Sequence, residues 1–242
     1  MNRALYAAAS GMAAQQLNLE IIADNLANAD VAGFKGATAS FTDLAAPGAV
    51  GLGTTVLGTH PVFVQGKLVK SGGPFDLAID GPGFFAVSDA RGRRAFTRDG
   101  EFSRAPDGTL RNAQGWRLAG VLVPADALSA AVAENGAVTA ATPHGTRRCG
   151  RIEIAEFASP ERLDSIGGTL FMQTHDSGRA RMVAPGGRHG PRVAFGMLER
   201  SNVSIVEAMM EILAAQRAYE ANAKGVQAAD EMLRIADNLS RG

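Results

Sequence analysis

Both ends of this sequence carry a seven-residue repeat of mostly apolar residues, and the segment between them does not. The repeat alternates steps of three and four residues, which is the seam of a coiled coil and narrower than the stripe of an ordinary surface helix. A stripe this long needs a partner, either the stripe at the other end or the same stripe in a neighbouring subunit. The seam positions are Leu5, Ala8, Met12, Gln15, Leu19, Ile22 and Leu26, and then Ile205, Ala208, Ile212, Ala215, Tyr219, Asn222, Val226 and Leu233.

A long helix is predicted at each end of the chain. The first runs from about Asn2 to Ala29, because no proline interrupts it and only one glycine weakens it. The second begins at Ser201 or Asn202, either of which can cap a helix, and continues to about Leu239. Both helices are therefore long enough to carry the repeat in full.

Each seam also carries one polar residue, Gln15 in the first helix and Asn222 in the second. A single polar residue on a seam commonly fixes the register of the pairing at some cost in stability. The spacing alone also fits a helical hairpin formed within one chain. Self-assembly through the seams and an intramolecular hairpin therefore both remain open on the residues alone.

The composition excludes some classes of partner. The chain has 24 basic residues (Lys and Arg) and 24 acidic residues (Asp and Glu). It therefore has no net positive charge that would attract nucleic acid or anionic lipid. No apolar run is long enough to predict a membrane span. The apolar start of the chain breaks at Ser10-Gly11, too early for a good signal peptide, so we expect this segment to be retained.

The middle of the chain predicts antiparallel β-structure. Between Phe41 and Gly73 the chain is rich in Gly, Thr, Val and Pro, which is typical of an extended connector with short strands. The segment after it alternates short strands with turns at Asp80-Gly81, Asp99-Gly100, Asp107-Gly108 and Asn135-Gly136, which favours a sandwich or barrel-like module. The predicted strands are Phe75–Ile79, Phe84–Ser88, Ala95–Arg98, Trp116–Val123, Val138–Ala141, Arg151–Phe157, Thr169–Gln173 and Val193–Leu198.

The expected fold class is therefore α+β, with the N- and C-terminal helices paired as a coiled-coil-like domain and an antiparallel β module inserted between them. The expected segments are an N-terminal helix within residues 1–33, a connector at 34–74, a β-rich outer module at 75–199 and a C-terminal helix within 200–242. The helices of the first and last segments are expected to pair.

The residues give little support to an enzyme. Cys149 lies beside Arg147 and Arg148, which favours a lowered thiol pKa, but no acidic residue accompanies His144 to orient it as a base. A cysteine in a loop is therefore expected. The four histidines lack metal-ligand spacing, and Gly81-Pro82-Gly83 lacks the later glycine of a nucleotide-binding loop. We expect no catalytic, metal or cofactor site.

Several ordered blocks of the sequence resemble the signatures of bacterial flagellar rod and hook proteins. Together they cover nearly the whole chain, which makes the resemblance far more specific than a single motif. The blocks are Ser10–Gln16, Ala23–Asn28 and Gly33-Phe34-Lys35 near the start, Asp76–Phe85 and Phe96–Gly100 in the middle, and Ser201-Asn202-Val203 and Gln216–Glu220 near the end. The chain is most similar to the distal-rod branch of this basal-body rod family, and the proximal-rod branch is the alternative.

The resemblance implies a structural subunit that assembles helically with copies of itself into the drive shaft that transmits torque toward the hook. It implies a place in the rod that crosses the periplasm, reached through the flagellar type III export apparatus without a cleaved signal peptide. The other implied partners are further rod proteins, the hook protein and the surrounding ring proteins, with no cofactor. A β-module adhesin is a weaker alternative, because it explains the middle of the chain but not the matched helices.

The family-signature positions carry their own expectations. Asn25 and Asn28 either cap the first helix locally or contact a neighbouring subunit. Phe34, Phe84 and Phe85 are expected in the core of the β module. The complete set is Asn25, Asn28, Gly33, Phe34, Lys35, Gly81, Gly83, Phe84, Phe85 and Asn202.

Overall fold

The computed structural model describes residues 3–44, 53–187 and 190–240 of the 242-residue chain. The chain divides into two compact units. The helical unit comprises Met1–Asn28, Gly36–Val62 and Val203–Gly242, and the β unit comprises Ala29–Lys35 and Phe63–Asn202. The architecture is α+β, with one helix near each end of the chain and a large antiparallel sheet between them in sequence.

The two long helices form where the repeats predict them. Helix α1 spans Arg3–Ala27 and helix α2 spans Ile205–Ser240, while Asn2, the predicted start of the first helix, lies outside the described residues. The prediction of a cap at Ser201 or Asn202 is wrong. The hydroxyl of Ser204 accepts a hydrogen bond from the Glu207 amide at 3.4 Å, and the helix begins at the next residue.

A β-hairpin completes the helical unit. Strands β1 (Ala37–Asp43) and β2 (Thr54–Pro61) pair antiparallel, with Ala37 opposite Pro61. The Thr54 amide donates to the hydroxyl of Ser10 on α1 at 3.1 Å, which ties the hairpin to the helix. The predicted connector therefore contains an ordered two-stranded ribbon, and its residues 45–52 lie outside the described part of the chain.

The β unit contains the remaining strands of the described residues and one short 3-10 helix, Pro160–Arg162. In chain order the first eight strands are β3 (Leu68–Lys70), β4 (Leu77–Asp80), β5 (Phe84–Ser88), β6 (Arg94–Thr97), β7 (Ser103–Arg104), β8 (Thr109–Arg111), β9 (Arg117–Leu122) and β10 (Ser129–Val132). The next eight are β11 (Ala137–Thr142), β12 (Gly145–Arg151), β13 (Ile154–Glu156), β14 (Asp164–Gly167), β15 (Leu170–Met172), β16 (Arg181–Val183), β17 (Arg192–Phe195) and β18 (Met197–Glu199).

Twelve of these strands join one antiparallel sheet. Its main order is β10-β11-β12-β9-β5-β6-β15-β14, with β13 pairing β5 and β16, and with β8 pairing β7 and β9. Two further antiparallel ribbons pair β4 with β17 and β3 with β18. The last strands before α2 therefore return to the first strands of the β unit.

Strand β5 separates two hydrophobic clusters. Successive residues of a strand point to opposite faces, so Phe85 and Val87 enter one cluster while Phe84 and Ala86 enter the other. The larger cluster contains Leu77, fully buried, and the aliphatic residues of the neighbouring strands. With four of its five residues buried, β5 is covered on both faces and forms the centre of the β unit.

The structure also corrects several predicted strands. The predicted strand Val193–Leu198 is two strands, because Gly196 lies between β17 and β18 with φ +69, a left-handed conformation that favours glycine. The predicted strand Arg151–Phe157 covers only the end of β12 and then β13. Strands β7, β8, β10, β14 and β16, which are short or polar, were not predicted from the sequence.

Candidate assembly surfaces and the buried charge cluster

Small side chains bring α1 and α2 together within the helical unit. Ala208 and Ala215 are buried against Ile22, and Leu19, Leu26 and Ile212 pack around them. Because an alanine side chain ends at Cβ, the two helix backbones approach closely at these positions. Of the predicted seam, Ile22 on α1 and Ala208 and Ala215 on α2 are therefore buried in the contact between the two helices.

The seam residues differ in how much of each side chain is exposed. The side chains at Ile22, Ala208 and Ala215 are buried, while those at Ile205, Tyr219 and Leu233 are exposed. The remaining seam residues are half-buried, and they are Leu5, Ala8, Met12, Gln15, Leu19, Leu26, Ile212, Asn222 and Val226. On α2, Ala208 and Ala215, which we call the alanine row, face α1. The larger seam residues Ile205, Tyr219 and Leu233 lie at the edge of the contact.

The two polar seam residues lie beside the same cleft. Gln15 and Asn222 line a cleft of about 580 Å³ in the helical unit together with Gly11. A Cβ atom at Gly11 would lie 2.9 Å from the amide nitrogen of Asn222, so a larger residue would displace that side chain. Gly11 is therefore a position of close helix approach rather than a weak point of α1.

Asn25 and Asn28 both make hydrogen bonds within their own chain. The Asn25 side chain donates to the Ala37 carbonyl and accepts from the Ala37 amide, both at 2.8 Å, so it pairs with β1 as a neighbouring strand would. The side-chain amide of Asn28 donates to the Asp24 carbonyl at 2.8 Å near the end of α1. One asparagine thus joins α1 to the hairpin, and the other closes the helix.

The first turns of α2 are also apolar on the side opposite Ala208. One residue advances a helix by about 100°, so Val206 and Met210 lie nearly opposite Ala208. Their exposed fractions are 68% and 59%, and that of Leu213 is 57%. A helix that is apolar on two sides needs burial on both, and the described residues of the helical unit cover only the alanine row.

The β unit contains a buried cluster of three charged side chains. The Glu199 carboxylate pairs with the Lys35 ammonium at 2.5 Å and with the Arg98 guanidinium at 3.1 Å, and all three side chains are almost completely buried. The Gly66 amide also donates to Glu199 at 2.8 Å. The cluster joins the segment that follows α1 to the segment that precedes α2.

Backbone carbonyls compensate the second positive charge of the cluster. Lys35 donates to the Val64 carbonyl at 2.8 Å, and Arg98 donates to the Gly81 carbonyl at 2.8 Å. Burial lowers the pKa of both cations, and the Glu199 carboxylate opposes that effect by a smaller amount. The carboxylate and the carbonyls together make it possible to bury two cations beside one anion.

The carboxyl group of Asp99 lies next to this cluster in the sequence and has a different environment. Burial raises its pKa to about 6, and the hydrogen bond from the Glu101 amide lowers the pKa by less. Asp99 follows the buried Arg98 directly. This carboxyl group is therefore a candidate source of pH-dependent stability in the β unit.

The signature glycines shape the chain around the cluster. Gly33 has φ +66 and donates its amide to the Glu199 carbonyl at 2.7 Å. Gly81 and Gly83 have φ +114 and +110, and the carbonyl of Gly81 is the one that accepts from Arg98. Of the other signature positions, Phe34, Lys35, Phe84 and Phe85 are buried, and the Asn202 amide donates to the Val64 carbonyl at 3.3 Å.

Cys149 does not lie in a loop, which corrects the prediction. It lies in β12 and its side chain is buried against the larger cluster. Burial raises the pKa of the thiol above its ordinary value, and the neighbouring Arg147 opposes this by less. Among the described residues, no group of three or more His, Cys, Asp or Glu side chains is arranged to hold a metal ion.

Sequence reasoning missed Glu199 and gave no role to Arg98. Their separation of 101 residues, and the 164 residues between Lys35 and Glu199, leave no local pattern to detect. A weak signal exists, since Glu199 ends the otherwise apolar run Met197-Leu198 at a predicted strand. A charged residue at such a position is a candidate for a buried pair.

Three family models match the chain in order. A model described as flagella basal body rod protein matches residues 5–35, a flagellar hook protein FlgE/F/G D1 domain matches residues 78–140, and a flagellar basal body rod FlgEFG protein C-terminal model matches residues 195–239. The matches cover α1, the central strands of the β unit and α2. Among the described residues, neither helix is long and apolar enough to cross a membrane.

Full-length relatives agree with these matches. The flagellar basal-body rod protein FlgG of Borreliella burgdorferi is 39% identical, with 100% of each chain covered. FlgG of Agrobacterium fabrum is 36% identical over 96% of this chain and 97% of its own. A flagellar basal-body rod protein FlgF, that of Caulobacter vibrioides, is 32% identical over 98% of this chain and 97% of its own.

Proposed function

Because the chain belongs to the bacterial flagellar basal-body rod family, we propose that it builds the distal part of the rod by helical self-assembly through its terminal helices. It is a structural subunit of the rod, and the family is not known for enzymatic activity. In this proposal, stacked copies of this chain form the drive shaft that transmits torque toward the hook. A place in the proximal rod is the alternative, supported by the similarity to FlgF.

The observation that carries the proposal is the uncovered apolar face of α2. Val206, Met210 and Leu213 expose more than half of each side chain, although α2 already packs its alanine row against α1. Burying apolar surface stabilises an assembly by about 25 cal/mol per Å². A repeated contact between this face and a different surface of the next copy gives an open helical stack rather than a closed dimer.

The seam residues have two proposed roles in this assembly. The alanines, together with Ile22, hold α1 and α2 together as a coiled-coil-like pair within one copy. The exposed seam residues Ile205, Tyr219 and Leu233 are proposed to contact neighbouring copies together with the outer face of α2. Gln15 and Asn222, which share a cleft, are proposed to fix the register of the pairing.

Each of the four segments predicted from the sequence has a proposed place in the rod. The helices within residues 1–33 and 200–242 form the inner layer of the rod, and residues 75–199 form the outer layer. Residues 34–74 connect the two layers. The proposed partners are copies of this chain, other rod proteins, the hook protein and the ring proteins that surround the rod.

The proposal also includes a route and a location. The chain is proposed to leave the cell through the flagellar type III export apparatus with its first residues retained, and to lie in the rod where the rod crosses the periplasm.

The experiment that tests self-assembly introduces charge on the outer face of α2. Met210→Asp with Leu213→Asp leaves the contact with α1 intact, so the chain is expected to fold but to be absent from purified basal bodies. The matched control, Met210→Leu with Leu213→Met, keeps the face apolar and is expected to be incorporated normally. Normal incorporation of the aspartate variant would overturn the assignment of this face.

Copy number separates the two positions in the rod. Mass spectrometry of purified basal bodies is expected to show several-fold more copies of this chain than of the proximal rod proteins. A copy number equal to theirs would move the chain to the proximal rod. Complete absence from the basal body would contradict the structural role itself.

A further inference from the structure

The β unit contains a groove of about 790 Å³ between its strands. Strands β5, β6 and β9 line it together with residues around β16. It is open because small residues, Ala86, Ser88 and Ala119, occupy positions where large side chains would otherwise cover the sheet. The volume lies in the range of about 300–1,000 Å³ that is typical of ligand pockets in proteins.

The strand register places two arginines together at one end of the groove. Ser88 of β5 lies directly opposite Arg94 of β6 on one side and Arg117 of β9 on the other. Residues directly opposite in an antiparallel pair point to the same face, so Arg94, Ser88 and Arg117 form a row. Arg179, beside β16, adds a third cation to the lining. These three arginines define what we call the arginine groove.

The arginines of the groove lack carboxylate partners within the described residues, whereas several neighbouring arginines are paired. Arg93 pairs with Asp89 at 2.7 Å, and Arg181 pairs with Glu156 at 2.5 Å. No ion pair involves any of the three groove arginines in the described part of the chain. Glu153 is the one acidic residue that lines the groove. An occupant with an acidic group therefore fits this surface.

The floor of the groove is apolar. Ala86 pairs with Phe96 in the adjacent strand, and Met182 borders the same space with 40% of its side chain exposed. An occupant is therefore expected to combine a carboxylate with an apolar side chain. Arginine guanidinium groups favour carboxylates because their donors form a planar fork.

The same chain presents such a combination at another place on its surface. Leu128 exposes 76% of its side chain, the largest exposed fraction of any large apolar residue that the structure describes. Asp126, also exposed, precedes it by two residues. A single exposed leucine is ordinary on a protein surface. Two features distinguish Leu128: the neighbouring carboxylate of Asp126, and a backbone that is held by hydrogen bonds.

The turn that carries Leu128 is fixed by hydrogen bonds. The Ala127 amide donates to the Pro124 carbonyl at 3.1 Å, and the Leu128 amide donates to the Ala141 carbonyl at 2.8 Å. Arg104 also donates to the Pro124 carbonyl at 3.2 Å. The turn at residues 124–128, which we call the Leu128 turn, is therefore held in place before any contact forms, and little ordering entropy opposes its docking.

A chain cannot place this turn in its own groove. The turn leads into β10, and the sheet order separates β10 from β5 by β11, β12 and β9. The turn follows β9 in the chain, yet none of its residues 124–128 lines the groove. The hydrogen bonds from Leu128 to Ala141 and from Arg104 to Pro124 hold the turn outside the groove. The occupant must therefore come from a second molecule.

We infer that the arginine groove binds the Leu128 turn of a second copy of this chain, with Leu128 on the apolar floor and Asp126 beside the groove arginines. The inference rests on the proposed function, since it places a contact between β units in the outer layer of the same assembly. The groove and the turn are different surfaces, so the contact is head-to-tail and repeats without closing.

Cysteine cross-linking in assembled basal bodies tests this contact. The native Cys149 is first replaced by alanine, and Leu128→Cys and Ala119→Cys are then introduced singly and together. After mild oxidation, the chain with both cysteines is expected to give a ladder of dimers, trimers and larger species on a non-reducing gel. Each single variant is expected to stay monomeric, because a head-to-tail contact never brings two identical positions together.

The matched control moves the first cysteine to the opposite edge of the sheet. Ile166 lies in β14 and is also exposed, so Ile166→Cys with Ala119→Cys is expected to give no ladder. Asp126→Arg in the cross-linking chain is expected to reduce the ladder at least about fivefold, because like charges then face each other. An equal ladder from the Ile166 control, or no effect of Asp126→Arg, would overturn the inferred pairing.

The outcome separates the inference from the proposed function. If the double-cysteine chain is incorporated into basal bodies at the normal level and gives no ladder, the groove contact is wrong and the rod assignment stands. If the chain is absent from basal bodies, the same oxidation is applied to the purified full-length chain at high concentration. A ladder there supports the contact without the rod assignment, and monomers alone overturn the contact.

Discussion

The two units of this chain bury different kinds of side chain. The β unit places its large apolar residues inside, and Phe85, Leu77 and Ile79 have no measurable exposure. The helical unit buries mostly alanines and leaves Met210 and Leu213 more than half exposed. The β unit therefore contains a hydrophobic core of its own, whereas the helical unit keeps much of its apolar surface uncovered.

This difference indicates how folding and assembly are divided along the chain. A core of large apolar side chains stabilises a unit without a partner. Helix α2 packs small side chains against α1 and exposes large apolar side chains to solvent. Most of its apolar surface is therefore buried only when the chain assembles. We therefore expect substitutions in the β unit to affect folding, and substitutions on the outer face of α2 to affect assembly.

The largest expected effect is that of Glu199→Gln in the β unit. The substitution leaves Lys35 and Arg98 buried without their carboxylate, which typically costs about 3–5 kcal/mol. Urea unfolding followed by the fluorescence of Trp116, the only tryptophan, is expected to show this loss. Glu156→Gln is the control, because Glu156 pairs with an arginine that is 76% exposed and the cost is below about 1 kcal/mol. Equal losses of stability in Glu199→Gln and Glu156→Gln would show that the buried ion pairs contribute no more to stability than the exposed one.

Asp99→Asn is expected to change the free energy of unfolding by less than Glu199→Gln does. At neutral pH it is expected to raise the free energy of unfolding, whereas Glu199→Gln lowers it. The pKa of Asp99 is raised from 3.8 to about 6 in the folded chain. The folded state therefore holds the proton more tightly, and this group's contribution to stability is present below pH 4 and is lost as the pH rises through 6. The full shift corresponds to about 3 kcal/mol.

The measurement is the free energy of unfolding of the β unit between pH 4 and 8. Asp99→Asn is expected to be more stable than the parent chain at pH 7 and to show a flatter dependence on pH. The control is Asp80→Asn, which changes the exposed aspartate of another Asp-Gly dipeptide, Asp80-Gly81, and is expected to leave the dependence on pH unchanged. A parent chain whose stability does not fall across this range would rule out the raised pKa.

Within the helical unit, Ala215→Leu is expected to cost about 1–3 kcal/mol, because the larger side chain does not fit between α2 and α1. Ala215 is 3% exposed and packs in the cluster with Ile22. Thermal unfolding followed by circular dichroism at the helical minimum measures the change. Ala221→Leu, at an exposed position of the same helix, is the control and is expected to have little effect. Equal stability of the two variants would show that α1 and α2 are not closely packed.

The sequence predicted the helical unit better than the β unit for a physical reason. A helix repeats its contacts every seven residues, so Ala208 and Ala215 leave a periodic signal, whereas the outer apolar residues of α2 were not predicted from the sequence. The strands of the β unit are short, and their pairing joins distant segments, such as β5 with β13. The Lys35, Arg98 and Glu199 cluster depends entirely on such pairing. Its residues therefore could not be brought together from the sequence.

The turns were more predictable than the strands that they join. Gly108 and Gly136 adopt φ of +81 and +76 in turns predicted from Asp-Gly and Asn-Gly, because only a left-handed residue closes such turns without strain. The arginine groove had no comparable signal. It depends on the register that places Arg94 and Arg117 on either side of Ser88, and that register is a property of three strands together.

The smallest expected effect is that of Met210→Ser on the isolated chain, and it is the most direct test of the comparison between the two units. Because 59% of Met210 is exposed, the free energy of unfolding is expected to change by less than about 0.5 kcal/mol. Ile22→Ser, at a buried position facing the same helix, is the matched comparison and is expected to cost several-fold more. If both variants unfold at the same urea concentration, the outer face of α2 is already covered within one chain, and the helical unit needs no neighbouring copy to bury it.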